Sequence, residues 1–190
     1  MNTQDGRAER LAWTGIVLAG GQSLRMGQDK ALLRWQGRPL LEHMAALLVA
    51  AGAARVVVSG DYPDYQGVRD PLPQRGPLGG LHGVAQALDD GLLLVVPVDM
   101  PALTPDLLMR LVRSGPARCV ILDGHRLPMR LRLDAASRQL LAGWMQDPSA
   151  PTSLRAFQQA MEVQVLPLAA SDLPALVNCN TPSQWEALAK

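Results

Sequence analysis

The sequence predicts a three-layer α/β domain with a mostly parallel central sheet. Three observations predict it. Short apolar, β-branched runs alternate with segments of helical period along the chain. The run 92–98 is continuously apolar between turn signals, as a central strand covered on both faces requires. Helix-start chemistry recurs at the expected offsets, as in Thr104-Pro105-Asp106. In order, residues 16–18 form the first strand. Residues 39–51 carry Leu40, Leu41, Met44, Leu47 and Leu48 at helical spacing, and Gly52 ends that helix. Residues 55–59 are a Val-rich strand, 81–88 a helix and 92–98 the central strand. A helix follows Thr104, then a strand at 119–122. Residues 130–133 alternate, placing Leu131 and Leu133 on one face and Arg130 and Arg132 on the other. Helices over 135–145 and 152–161, a strand at 163–166 and a final helix opened by Thr181-Pro182-Ser183-Gln184 complete the order. Residues 61–80, with four prolines and four glycines, are the least regular stretch, and a loop of that length inside a compact domain is usually functional.

Composition narrows the function classes. The 190 residues suffice for one domain with a full core, here expected over 15–190 behind a polar N-terminal extension at 1–14. At 48% hydrophobic residues the chain is not disordered, and a net charge of +1 argues against nucleic-acid and membrane-surface partners. The N-terminal segment lacks the apolar stretch of a signal peptide, and no apolar run reaches membrane-spanning length. Cys119 and Cys179 read as small buried residues in a reducing compartment, so a cytoplasmic location is expected.

Four motifs carry the chemistry. After the first strand comes Leu18-Ala19-Gly20-Gly21, followed by Arg25 and Lys30. Glycines let backbone N–H groups approach an anion, and the two cations supply countercharge, which outlines a phosphate site. Lys30 and the terminal Lys190 are the lysines of the chain; arginine serves elsewhere. The spacing fits neither a Walker A loop nor a dinucleotide fingerprint. An ordinary strand-to-helix turn would need neither cation. Asp99 ends the most hydrophobic strand between Pro97 and Pro101, where a rigidly held carboxylate suits Mg²⁺. Because Thr104 already caps the next helix, Asp99 is not needed as a cap. A second glycine loop, Arg75-Gly76-Pro77-Leu78-Gly79-Gly80, precedes a helix and can meet a base, ribose or phosphate. In Asn178-Cys179-Asn180 the two amides point the same way and can bind a polar heterocycle. No nucleophile elbow, metalloprotease helix or paired-cysteine motif occurs.

In combination these motifs resemble the molybdenum cofactor nucleotidyltransferases. The residues concerned are Leu18-Ala19-Gly20-Gly21 with Arg25-Met26-Gly27 and Asp29-Lys30, Gly37-x-Pro39-Leu40, Gly76-Pro77-Leu78-x-Gly80, Asp99-x-Pro101 and Asn178-x-Asn180-Thr181-Pro182. They fall in the family's order from about Gly15 to the C-terminus, and the Leu-Ala-Gly-Gly and Gly-Pro-Leu forms are those of its guanylyl branch. The resemblance implies a Rossmann-like nucleotidyltransferase fold. It implies an enzyme that takes GTP and molybdenum-molybdopterin, with Mg²⁺ as cofactor, to molybdopterin guanine dinucleotide and pyrophosphate. Molybdoenzymes or cofactor chaperones are the implied protein partners. It implies Leu18, Ala19, Gly20, Gly21, Gly76, Pro77 and Leu78 at the nucleotide, Lys30 at phosphate, Asp70 as a nucleotide contact and Asp99 as the metal ligand. Ser59 stands where the family often has a nucleotide-touching asparagine, and Leu127-Pro128-Met129-Arg130 replaces its usual His-Pro segment. Pro128, Asn178 and Asn180 are the implied acceptor contacts. The proposed roles make Arg25, Lys30 and Asp99 the catalytic set. Two rival readings are a same-fold transferase using CTP or a sugar phosphate, and a non-catalytic molybdopterin delivery protein.

Overall fold

The computed structural model describes residues 11–20, 29–179 and 184. Among the described residues, eight strands and five α-helices of more than one residue follow in chain order: β1 Trp13–Leu18, β2 Arg34–Trp35, β3 Arg38–Pro39, α1 Leu40–Ala50, β4 Arg55–Ser59, α2 Pro77–Ala87, β5 Gly91–Pro97, α3 Pro105–Val112, β6 Cys119–Leu122, β7 Met129–Leu133, α4 Ala135–Gln146, α5 Leu154–Ala160 and β8 Gln164–Leu166. Six strands form the main sheet in the order β4-β1-β5-β7-β6-β8, while β2 and β3 make a small antiparallel ribbon. β1 pairs in parallel with β4 and β5, and β6 with β8. β7 alone runs antiparallel to both of its neighbours.

Alternation along each strand divides the core into two. Val17, Val58, Leu94 and Val96 pack with Leu41, Met44 and Leu48 of α1 and Leu108 and Leu111 of α3. Ile16, Leu18, Val57, Leu93 and Val95 pack on the opposite face with Leu81 and Val84 of α2, Leu141 of α4 and Phe157 of α5. Residues 92–96 of β5 are all buried, the consequence of helices on both faces.

Three differences from the sequence expectation have local causes. β1 begins at Trp13, which is 3% exposed, so the first strand takes in two residues of the expected N-terminal extension. α2 begins at Pro77 rather than near residue 81, so Pro77, Leu78, Gly79 and Gly80 are its first turn instead of a loop before it. Pro at the first helical position loses no hydrogen bond, which makes this start possible despite two glycines. Arg130 is buried at 3% exposure although the alternation of β7 reads as one polar face. Its guanidinium donates to the carbonyls of Gly115 and Ala117, closing the turn that feeds β6. Burial first, and the neighbouring Arg132 second, hold its pKa below the ordinary arginine value.

The start of α4 is fixed by Asp134. Its carboxylate accepts the Ser137 N–H at 3.0 Å, and the Ser137 hydroxyl accepts the Asp134 N–H at 2.9 Å. Arg118 donates to the same carboxylate at 2.5 Å. Partial burial alone would raise the Asp134 pKa, but these donors outweigh it and hold the carboxyl below its ordinary 3.8. Asp134→Ala is therefore expected to cost about 1 kcal/mol near neutral pH. The native carboxyl is the stronger acid, so its contribution is full above 3.8 and lost as pH falls through the depressed native value. Denaturant unfolding of wild type and variant should differ near pH 7, and the difference should shrink as pH falls below 3.8.

Candidate active site

The parallel strands deliver their carboxyl ends to one edge, with Leu18 in register beside both Ser59 and Pro97. Ligands of open α/β sheets bind at such an edge. A cleft of about 190 Å³ opens there, lined among others by Leu18, Ala19, Gly20, Lys30, Pro77 and Asp99. It thus gathers six of the residues expected at the nucleotide from four separate segments. A larger groove of about 840 Å³ lies between α3 and the segment after β8, and its lining includes none of them.

Lys30 and Asp99 face each other across the cleft, with Nζ and Oδ2 3.6 Å apart. Their side chains are 14% and 22% exposed, so the pair is largely withdrawn from water yet open to a ligand. Lys30 begins a 3₁₀ turn, Lys30–Leu32, capped by Asp29, whose carboxylate accepts the Ala31 N–H at 3.0 Å. Asp99 follows β5 by two residues. Its main-chain carbonyl accepts the Cys179 N–H at 2.8 Å, which ties the Asn178 segment to the cleft. Burial, then the nearby Asp99 carboxylate, push the Cys179 thiol up against the opposing effect of Lys30.

The remaining expected residues take varied positions. The N–H groups of Ala19 and Gly20 both lie 2.9 Å from the Ser59 carbonyl, so these two amides are engaged within the fold. Gly21, Arg25 and Asn180 lie outside the described residues. Ser59 is 1% exposed, and its hydroxyl has no hydrogen-bond partner among the described residues. It sits against Gly80, where a Cβ would come within 2.5 Å of Oγ. Asp70 lies beside the first turn of α2: it accepts the Leu72 N–H at 2.7 Å, and a Cβ on Gly79 would fall 2.5 Å from its carboxylate. Gly76 caps α2 with φ +58°, a conformation glycine adopts without strain. Leu78 is fully buried and packs in the core rather than lining the cleft. Pro128 is also buried, and its neighbour Leu127 reaches the cleft instead. Asn178 is exposed.

Two participants carry no role in the sequence reading, although Asp29 is part of its first motif. Asp29 adjoins the expected Lys30, and a carboxylate immediately before a short turn is a legible cap signal. Tyr62 gives no such signal. Its hydroxyl lies 3.2 Å from the Ala19 carbonyl and 2.9 and 3.0 Å from the Asp29 carboxylate oxygens. Burial first, then the bond to Asp29 and its charge, push the Tyr62 phenol well above the ordinary value.

Residues 15–166 match the family model of the MobA-like NTP transferase domain. The chain belongs to this family of NTP transferases. The match runs from β1 to β8 and contains Lys30 and Asp99. The molybdenum cofactor guanylyltransferase of Xanthomonas euvesicatoria pv. vesicatoria is 53% identical over 177 residues, covering 93% of this chain and 94% of that one. The molybdenum cofactor guanylyltransferase of Pseudomonas syringae pv. tomato is 32% identical, covering 88% of each. Among solved structures, molybdopterin-guanine dinucleotide biosynthesis protein A from Archaeoglobus fulgidus superposes with a TM-score of 0.73 at 17% identity, covering 93% of this chain and 96% of that one. That likeness shows the fold. This NTP transferase has no described helix long and apolar enough to cross a membrane.

Proposed function

We propose that this enzyme transfers GMP from GTP to the phosphate of molybdenum-molybdopterin, giving molybdopterin guanine dinucleotide and pyrophosphate. The observation that carries the proposal is the opposition of Lys30 and Asp99 across a cleft at the strand ends, 3.6 Å apart. A relative 53% identical over nearly the whole chain, itself named a guanylyltransferase, supports the choice of nucleotide and acceptor. The reducing cytoplasm suits two buried free thiols, Cys119 and Cys179.

In this reaction an oxygen of the acceptor's phosphate attacks the α-phosphorus of GTP. A new P–O bond forms, the bond to the oxygen bridging the α- and β-phosphates breaks, and pyrophosphate leaves with the electron pair. The nucleophile is already anionic near neutral pH, so the chain's task is positioning and charge neutralisation. Lys30, on its capped turn, binds phosphate oxygens as a point charge. The cleft wall formed by Pro77, Val98 and Leu127 excludes water from one side of the reacting groups.

Mg²⁺ fits this donor set in one way. Among the described residues no three His, Cys, Asp or Glu side chains form a metal cage. A single carboxylate, Asp99, suits a cation whose other ligands are phosphate and water oxygens. Asp99 would hold Mg²⁺ there, and the bound ion supplies Lewis-acid neutralisation of the phosphates. Pyrophosphate release should appear with GTP, Mg²⁺ and molybdenum-molybdopterin together, and fall at least about tenfold when CTP or ATP replaces GTP. Equal release with CTP would overturn the guanylyl assignment. Tight molybdopterin binding without pyrophosphate release would favour a delivery protein.

A further inference from the structure

Tyr62 is held with more care than a surface tyrosine needs. It stands in the loop after β4, whose main-chain hydrogen bonds include Gly60 N–H to the Val68 carbonyl at 2.9 Å, Tyr62 N–H to the Gly60 carbonyl at 3.0 Å, and Gly67 N–H to the Tyr62 carbonyl at 2.9 Å. Gly60, at φ +143°, makes room for the ring: a Cβ there would lie 2.6 Å from Tyr62 Cε2. From this base the phenol reaches Asp29, the residue before Lys30, and the carbonyl of Ala19 at the exit of β1. Asp29 in turn holds the Ala31 N–H. Lys30 is thereby bracketed by two anchored residues, and its ammonium points at Asp99.

We infer that Tyr62 is a positioning residue for nucleotide binding: through Asp29 it sets the turn that aims Lys30 at the phosphates of GTP. This rests on the reading of the cleft given above. A hydroxyl shared between a carboxylate and a carbonyl joins β1's exit to the lysine turn directly, whereas nine residues separate Ala19 from Asp29 along the chain. Charge-assisted hydrogen bonds of this kind are the stronger ones, and this one fixes the backbone turn from which the Lys30 side chain extends toward Asp99.

The test compares wild type, Y62F, D29N and the double variant, with K30A as reference. It measures KM and kcat for GTP at saturating acceptor, Kd for GTP with Mg²⁺, and Tm. Y62F should raise KM and Kd about fivefold, the worth of a partly exposed charge-assisted hydrogen bond. Its kcat should stay within about twofold, because the interaction serves ground and transition states alike. D29N should behave similarly, and the double variant should be no worse than the poorer single one, since both changes break one linkage. A Y62F enzyme with wild-type KM and Kd, or effects of Y62F and D29N that multiply, would overturn the inference if K30A weakens GTP binding. If K30A leaves GTP affinity unchanged, the phosphate reading of the cleft fails and this inference fails with it. A merely structural tyrosine would lower Tm without coupling to D29N in Kd.

Discussion

Asp99→Asn is expected to reduce guanylyl transfer by at least about 10³-fold, with the fold intact. The substitution keeps the shape of the side chain and removes its charge. Lys30, 3.6 Å away, then faces a neutral amide, and the carboxylate proposed to hold Mg²⁺ is gone. The fold should survive because the structural bond at this position uses the main chain: the Asp99 carbonyl accepts the Cys179 N–H whichever side chain is present. Steady-state pyrophosphate release, with circular dichroism and Tm as controls, checks the expectation. Near-normal turnover in Mg²⁺ would remove Asp99 from the reaction.

The second large effect is expected at Gly79. A Cβ there would lie 2.5 and 2.6 Å from the Asp70 carboxylate oxygens and 2.6 Å from the Leu72 carbonyl. The carboxylate can swing away, but the carbonyl belongs to the chain and cannot move without displacing the turn. Replacing glycine within a helix ordinarily gains up to about 1 kcal/mol in propensity. In the first turn of α2 that gain is outweighed by overpacking, and Gly79→Ala should cost about 2–3 kcal/mol. For a chain of this length that corresponds to a fall in Tm of about 4–12 °C. It should also weaken GTP binding, because Pro77 of the same turn lines the cleft. Thermal unfolding and GTP titration of the one variant measure both consequences.

Much of the fold was legible because its signals are local. The apolar run of β5 announces a strand covered on both faces, and Thr104-Pro105-Asp106 announces the start of α3 with a cap that forms, the Thr104 hydroxyl accepting the Leu107 N–H at 3.3 Å. The direction of β7 was legible only indirectly. Parallel neighbours need a long crossover, and the chain between β6 and β7 is too short to supply one. The burial of Arg130 was not legible at all: it depends on two carbonyls, Gly115 and Ala117, that only tertiary structure brings above β7. The start of α2 was misjudged because glycine pairs read as loop, whereas Gly79 and Gly80 are there to let the helix approach Asp70, Leu72 and Ser59 closely.

The candidate site divides in the same way. Lys30 and Asp99 stood out because charged residues beside strand ends and glycines are rare in a plain turn. Tyr62 did not, since a tyrosine in a proline-rich loop carries no spacing that points at Asp29, 33 residues away. Ser59 shows the opposite limit. Its position in the sequence is one where the resemblance implies a nucleotide contact, and in the structure its hydroxyl lies buried against Gly80 while its carbonyl engages the two amides after β1.

The decisive measurement is a crystal structure of the enzyme with a non-hydrolysable GTP analogue and Mg²⁺. Triphosphate density is expected in the cleft between Lys30 and Asp99, with the metal bound to the Asp99 carboxylate and to phosphate oxygens. Nucleotide density away from that cleft, or an Asp99 carboxylate that contacts neither metal nor water on the metal, would rule out this placement of the phosphates and the ion.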